Sequence, residues 1–241
     1  MAKLILVGMV EPEPGNAVAF AHTPVLLQNS GGLRQARDQC RVIDGLPFKA
    51  QRHGLRILGP NCLGVIRTDI GFNGTFSAGN ALPGRIAVVS QSGALTASIL
   101  DWAAQNGVGF STVVTVGPNT SVDLAQVLDF LASDAQTHSI VVYMEGISDA
   151  RRFMSALRAA ANAKPVVVLK AGRRAAGNQA AQTHSGSIVG SDDVFDAALR
   201  RAGAVRVRSF VQLFSAAKCL ASRYRPVGRR LAIVTNGGGP G

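Results

Sequence analysis

From Arg85 onward, short runs of consecutive apolar residues alternate with helical patterns, and this rhythm constrains the chain more than any other feature. Arg85–Val89, Gly109–Val116, Ser139–Met144, Pro165–Lys170 and Ala204–Val207 each have strand length. Helical patterns follow them at Ala94–Asn106, Ser121–Ser133, Asp149–Asn162, Asp192–Ala202 and Phe210–Arg223. Strands that are apolar throughout, rather than at every second position, are buried on both faces. Strands separated by helices belong to a parallel sheet covered on both sides. The sequence therefore predicts a doubly wound α/β domain, with ligands bound beyond the carboxyl ends of the strands.

Upstream of Arg85 the texture is weaker. Residues 4–10 have strand character, but no G-x-G-x-x-G fingerprint follows them, and residues 28–45 are polar and weakly patterned. Leu55–Leu58 reads as a short strand running into the turn-rich segment Gly59-Pro60-Asn61-Cys62-Leu63-Gly64. Gly71–Gly84 reads as an irregular connector. At the other end, Leu231–Thr235 reads as a strand running into Asn236-Gly237-Gly238-Gly239-Pro240, as though opening a further domain.

The net charge of +11 calls for an anionic partner, either nucleic acid or polyanionic small molecules such as nucleotides and coenzyme A. The arginines are scattered over helix faces and ends, without interleaved aromatics and without a zinc-finger or RNA-binding signature. Specific nucleic-acid binding is therefore disfavoured. Three cysteines, Cys40, Cys62 and Cys219, are odd in number and widely spaced. They suggest neither a disulfide framework nor a metal cage, which fits a reducing cytoplasm. No segment is long and apolar enough to span a bilayer. The short apolar run after Met1 is cut by Glu11-Pro12-Glu13-Pro14 before any cleavage site.

The chemistry concentrates at the predicted carboxyl ends. Ser90-Gln91-Ser92-Gly93 leads into a helix whose first acidic residue is Asp101, so its initial amides are available to an external anion. The helices at Ser121-Val122-Asp123 and Ser191-Asp192-Asp193 carry their own carboxylates and read as self-capped. Ser92 thus has two readings, an ordinary N-cap or part of a phosphate cradle. Glu145 ends an apolar strand and either caps the next helix or accepts an imidazole N–H, fixing its tautomer. His184, within Gln182-Thr183-His184-Ser185-Gly186-Ser187, is flanked by small residues that leave its ring approachable; a bare loop histidine is the competing reading. His22, His53 and His138 have no comparable setting. A G-x-S-x-G elbow is missing, and no second zinc ligand stands at a useful spacing.

Five segments, in order, carry a resemblance: Gly59-Pro60-Asn61-Cys62-Leu63-Gly64, Ser90-Gln91-Ser92-Gly93-Ala94, Tyr143-Met144-Glu145-Gly146, Thr183-His184-Ser185-Gly186 and Thr235-Asn236-Gly237-Gly238-Gly239-Pro240. Together they resemble the nucleoside-diphosphate-forming acyl-CoA synthetases and the α subunit of succinyl-CoA synthetase. The resemblance implies that His184 is transiently phosphorylated and that Ser92, Gly93, Ala94 and Gly186 hold the phosphate. It makes Glu145 the carboxylate that steadies the histidine, and places Asn61, Cys62, Gly117 and Asn119 at the substrate. It implies conversion of acyl-CoA, phosphate and a nucleoside diphosphate to acid, coenzyme A and the triphosphate. ATP/ADP and magnesium would come through a nucleotide-binding domain or subunit missing from this sequence, and a homo-oligomer is implied as well. The resemblance also divides the chain into 1–53 (remnant of a CoA-binding domain), 54–228 (ligase domain) and 229–241 (start of a truncated second flavodoxin-like domain). Asp149-Ala150-Arg151-Arg152-Phe153-Met154 is similar to the synthetase-like half of bacterial protein lysine acetyltransferases, which gives a second reading as a non-catalytic acyl-CoA sensor.

Overall fold

The computed structural model describes residues 3–6, 55–59, 62–77, 79–117, 122–172, 192–222 and 227–230, with Ala232 and Val234. Two strands form a parallel ladder of their own, β1 (Lys3–Leu6) and β2 (Leu55–Leu58), with Lys3 opposite Leu55. The main body follows. It comprises β3 (Gly64–Arg67), β4 (Phe72–Thr75), β5 (Pro83–Ser90), α1 (Gly93–Asn106), β6 (Phe110–Thr115), α2 (Leu124–Ser133), β7 (Ser139–Met144), α3 (Ala150–Ala163), β8 (Val166–Lys170), α4 (Asp192–Ala202), β9 (Val205–Val207) and α5 (Phe210–Ala221).

The seven-stranded sheet has the order β4-β3-β6-β5-β7-β8-β9, and β6 through β9 pair in parallel. Within it, β6-β5-β7-β8-β9 is the 2-1-3-4-5 order of doubly wound flavodoxin-like domains. The expected fold class holds. Helices cover both faces: α2, α3 and α4 pack with Val89, Val142, Met144 and Val168, whereas α1 and α5 pack with Val88, Phe110, Val141 and Leu169. Alternate residues of one strand thus feed two separate cores, as continuous apolar strands require.

The predicted elements fall where the pattern places them, within a few residues at their ends. α2 is the clearest shift, starting at Leu124 rather than Ser121. Asp123 is its N-cap, accepting from Gln126 N at 2.8 Å, while the Gln126 side chain returns to Asp123 N at 3.2 Å, a reciprocal capping box.

The irregular connector expected over Gly71–Gly84 is in part a strand. β3 and β4 form an antiparallel hairpin that adds to the sheet edge, and β3 runs antiparallel to β6. The sheet is therefore mixed at this end. Each strand is four residues long, too short to show a period, and tertiary pairing decides the matter. Gly64 has φ 123°, and a Cβ there would lie 2.0 Å from Gly74 O. Only glycine fits that crossing. The hairpin is tied to the body by Arg67, whose guanidinium bonds both oxygens of Asp134 at 2.8 and 3.0 Å and also reaches Asp69. The Leu231–Thr235 strand falls largely outside the described residues; Ala232 and Val234 are described and are not in a strand.

Candidate active site

Strand order creates the site. After β5 the chain moves to one side, to β6, and then to the other side, to β7. The crevice between the carboxyl ends of β5 and β7 is thus the switch point, where doubly wound sheets hold their ligands. Ser90 lies opposite both Thr115 and Tyr143, so the segments after these three strands meet at one rim.

On the β5 side, Ser92 caps α1. Its hydroxyl accepts from Leu95 N at a long 3.4 Å, and its own amide donates to Ser90 Oγ at 3.0 Å. The first turn holds no acidic residue. Gly93 and Ala94 are not buried, and amides at a helix start have no acceptor within the helix. The N-cap reading of Ser92 is therefore realised, yet it leaves the positive end of α1 open to an anion. A Cβ on Gly93 would sit 3.4 Å from Leu63 N, which brings Leu63 against the start of α1 from thirty positions earlier in the sequence.

On the β7 side, Glu145 is buried, 6% exposed. Tyr143 Oη lies 3.5 Å from Glu145 Oε1. Burial, together with that carboxylate, pushes the Tyr143 hydroxyl up to about 12. Lys170, at the end of the next strand, is also buried and lies over the Phe195 ring at 5.1 Å. Burial lowers its affinity for a proton; Asp192 and Glu145 oppose that shift and Arg206 reinforces it. Asp192 and Asp193 stand in the first turn of α4, and Asp192 pairs with Arg206; Ser191, before them, lies outside the described residues.

Gly117 follows β6 at the same rim with φ 63°, next to Val116, whose amide donates to Ser90 O at 2.9 Å. Cys62 packs in the core with Leu58, Val114 and Val116. Burial pushes its thiol up to about 11, against the backbone hydrogen bond with Gly64, so it stays protonated at neutral pH. Asn61, Asn119, His184 and Gly186 lie outside the described residues. Among the described residues, no cluster of His, Cys, Asp and Glu is suited to a metal. None of the described helices is long and apolar enough to cross a membrane. His138 is exposed.

Gln91 is the site residue that pattern reasoning leaves without a role. Its side chain accepts from Glu145 N at 2.5 Å and Gly146 N at 3.1 Å, and donates to Gly146 O at 3.0 Å. Its place between Ser90 and Ser92 was a local hint. Its target lies more than fifty residues away.

These features define a doubly wound domain of flavodoxin-like order, with an acid-free helix start and a buried carboxylate at one switch point. The chain belongs to the succinyl-CoA ligase-like flavodoxin domain family, whose model matches residues 83–220. It is similar to acetate–CoA ligase [ADP-forming] I of Archaeoglobus fulgidus, 46% identical over 192 residues, covering 80% of this chain and 28% of that protein. It is likewise similar to the α subunit of acetate–CoA ligase [ADP-forming] I of Pyrococcus furiosus, 42% identical over 201 residues, covering 83% of this chain and 44% of that one. Among solved structures, acetyl-coenzyme A synthetase 1 of Ca. Korarchaeum cryptofilum in complex with phosphate and ADP matches with TM-score 0.79 and 33% identity, over 87% of this chain and 46% of that chain. The chain spans less than half the length of each of these relatives. Their names are those of ligases and lend no support to the acetyltransferase-like sensor.

Proposed function

We propose that this chain is the phosphohistidine-bearing part of an ADP-forming acyl-CoA synthetase acting on a small acyl group. The observation that carries the reading is the acid-free start of α1 and the buried Glu145 on the two sides of the β5/β7 switch point, joined by Gln91. Relatives of the same family, named as acetate–CoA ligases, support it. In the first step, phosphate oxygen attacks the acyl-CoA thioester; the C–S bond breaks and coenzyme A leaves as acyl phosphate forms. Next a nitrogen of His184 attacks phosphorus, the P–O bond to the acyl group breaks, and the carboxylate departs. Transfer from His184 to a nucleoside diphosphate completes the cycle.

The role of each residue follows from charge. The amides of Gly93 and Ala94, with Gly186, stabilise phosphoryl oxygens as charge develops on them. Glu145 accepts the other imidazole N–H, leaving one nitrogen nucleophilic and stabilising the cation formed on transfer. Asn61, the Cys62 backbone, Gly117 and Asn119 contact the acyl-CoA. Magnesium and nucleotide enter on a partner domain or subunit, in a homo-oligomeric cytoplasmic assembly. In this reading residues 1–53 are the remnant of a CoA-binding domain, 54–228 the ligase domain, and 229–241 the beginning of a second flavodoxin-like unit.

Incubation with acetyl phosphate tests the central step. An acid-labile, alkali-stable phosphate is expected on His184. Absence of label, or label that persists in His184→Ala, overturns the proposal.

A further inference from the structure

We propose that Gln91 is a positioning residue that bridges the β5/β7 switch point and holds the Glu145 turn against the anion-accepting start of α1. The proposal rests on the function assigned to that site above. The β5–β7 ladder ends with Ser90 opposite Tyr143. Beyond that pair the amides of Glu145 and Gly146 are met by a side chain of the β5 segment rather than by its backbone. That residue is Gln91. Its amide donates to Tyr143 O at 3.2 Å, and its carboxamide then takes Glu145 N, Gly146 N and Gly146 O. One side chain, 5% exposed, thereby continues the ladder for two more residues.

The chemistry demands a carboxamide. The turn presents two donors and one acceptor, and only a group with both an oxygen acceptor and an N–H donor satisfies all three. A glutamate would set a carboxylate oxygen against Gly146 O, and a methionine would take the side-chain partner away from all three buried groups. Position adds the functional consequence. Gln91 directly precedes the Ser92 cap, so the residue that fixes Glu145 also enters α1. Gln91 is thus a direct link between the Glu145 turn and the start of α1. An error of about 1 Å in such a separation is enough to cost on the order of 100-fold in rate.

The test uses Gln91→Met, which preserves volume, and Gln91→Glu, with two readouts. Amide hydrogen exchange at Glu145 and Gly146 should be slow in the full wild-type chain and accelerate about tenfold or more in both variants, with the β8 amides unchanged. The rate of His184 labelling by acetyl phosphate should fall about 10–100-fold in Gln91→Met, the range typical for loss of a partner that orients a functional group. In a Glu145→Gln background the same substitution should cost less than about twofold, because the carboxylate it positions is already gone. A full additional loss in that background makes Gln91 merely structural and overturns the proposal, as does unchanged exchange in a folded variant. If neither variant folds, rapid exchange of the two wild-type amides overturns it and slow exchange supports it. If the wild type takes no label, the function above falls, and exchange alone decides whether the clamp exists.

Discussion

Placing a carboxylate at Ala94 should separate the stability of α1 from its use as an anion site. Ala94 is exposed in a first turn without acidic residues, capped only by the long Ser92 contact. An aspartate there interacts favourably with the helix dipole, by about 0.3–1 kcal/mol. For a chain of this size that raises Tm by about 1–4 °C. A phosphoryl group on the same amides would meet this new charge at roughly 4–5 Å. At an effective dielectric of about 20, the repulsion is about 3–4 kcal/mol per unit charge. That corresponds to a loss of about 100- to 1,000-fold in the rate of His184 labelling by acetyl phosphate. Ala94→Asn is the neutral control and should keep most of the labelling while gaining no stability. The assay pairs a thermal melt with time-resolved detection of acid-labile phosphate. If Ala94→Asp melts higher and labels at the wild-type rate, the α1 amides do not hold the phosphoryl group.

Gly84 and Gly109 cross backbone to backbone: a Cβ on Gly84 would lie 2.2 Å from Gly109 O, and one on Gly109 would lie 2.1 Å from Pro83 O. Alanine at either position should destabilise the chain by about 1–3 kcal/mol or more, read as a lower urea midpoint; an unchanged midpoint would show that the strands can part at no cost. Asp134 is pulled in both directions: burial raises its carboxyl pKa, but hydrogen bonds from Arg67, Thr137 and the Gln136 amide bring it below the ordinary carboxylate range. A depressed folded value means that this stabilisation is complete above the unfolded value of about 3.9 and is lost as pH falls through the folded one. Asp134→Asn should therefore lower the urea midpoint near neutral pH and flatten its decline below pH 4, and a parallel decline would remove Asp134 from the acid limb.

The candidate site was legible where its signals are local. The acid-free start at Ser92-Gly93-Ala94 and the carboxylate ending an apolar strand at Glu145 are both read from a few consecutive residues. Gln91 was legible only as a neighbour of Ser90 and Ser92; its role was not, because its three partners lie 54 and 55 residues away. The same distance hides the core packing of Cys62. The Asp123 cap shows a smaller limit, since Ser121 and Asp123 are both good caps and only the closed box with Gln126 selects one.

By itself the sequence determined the alternating strands and helices from Arg85 to α5, and that the central strands among them are buried on both faces. Continuous apolar runs and 3.6-residue periods are properties of neighbouring residues. Only the tertiary structure decided that β5 lies between β6 and β7, that β3 and β4 close the sheet antiparallel at its edge, and that Gln91 joins the two sides of the switch point. Strand order and register depend on which surfaces of distant segments fit together, and that complementarity exists only once the chain has folded.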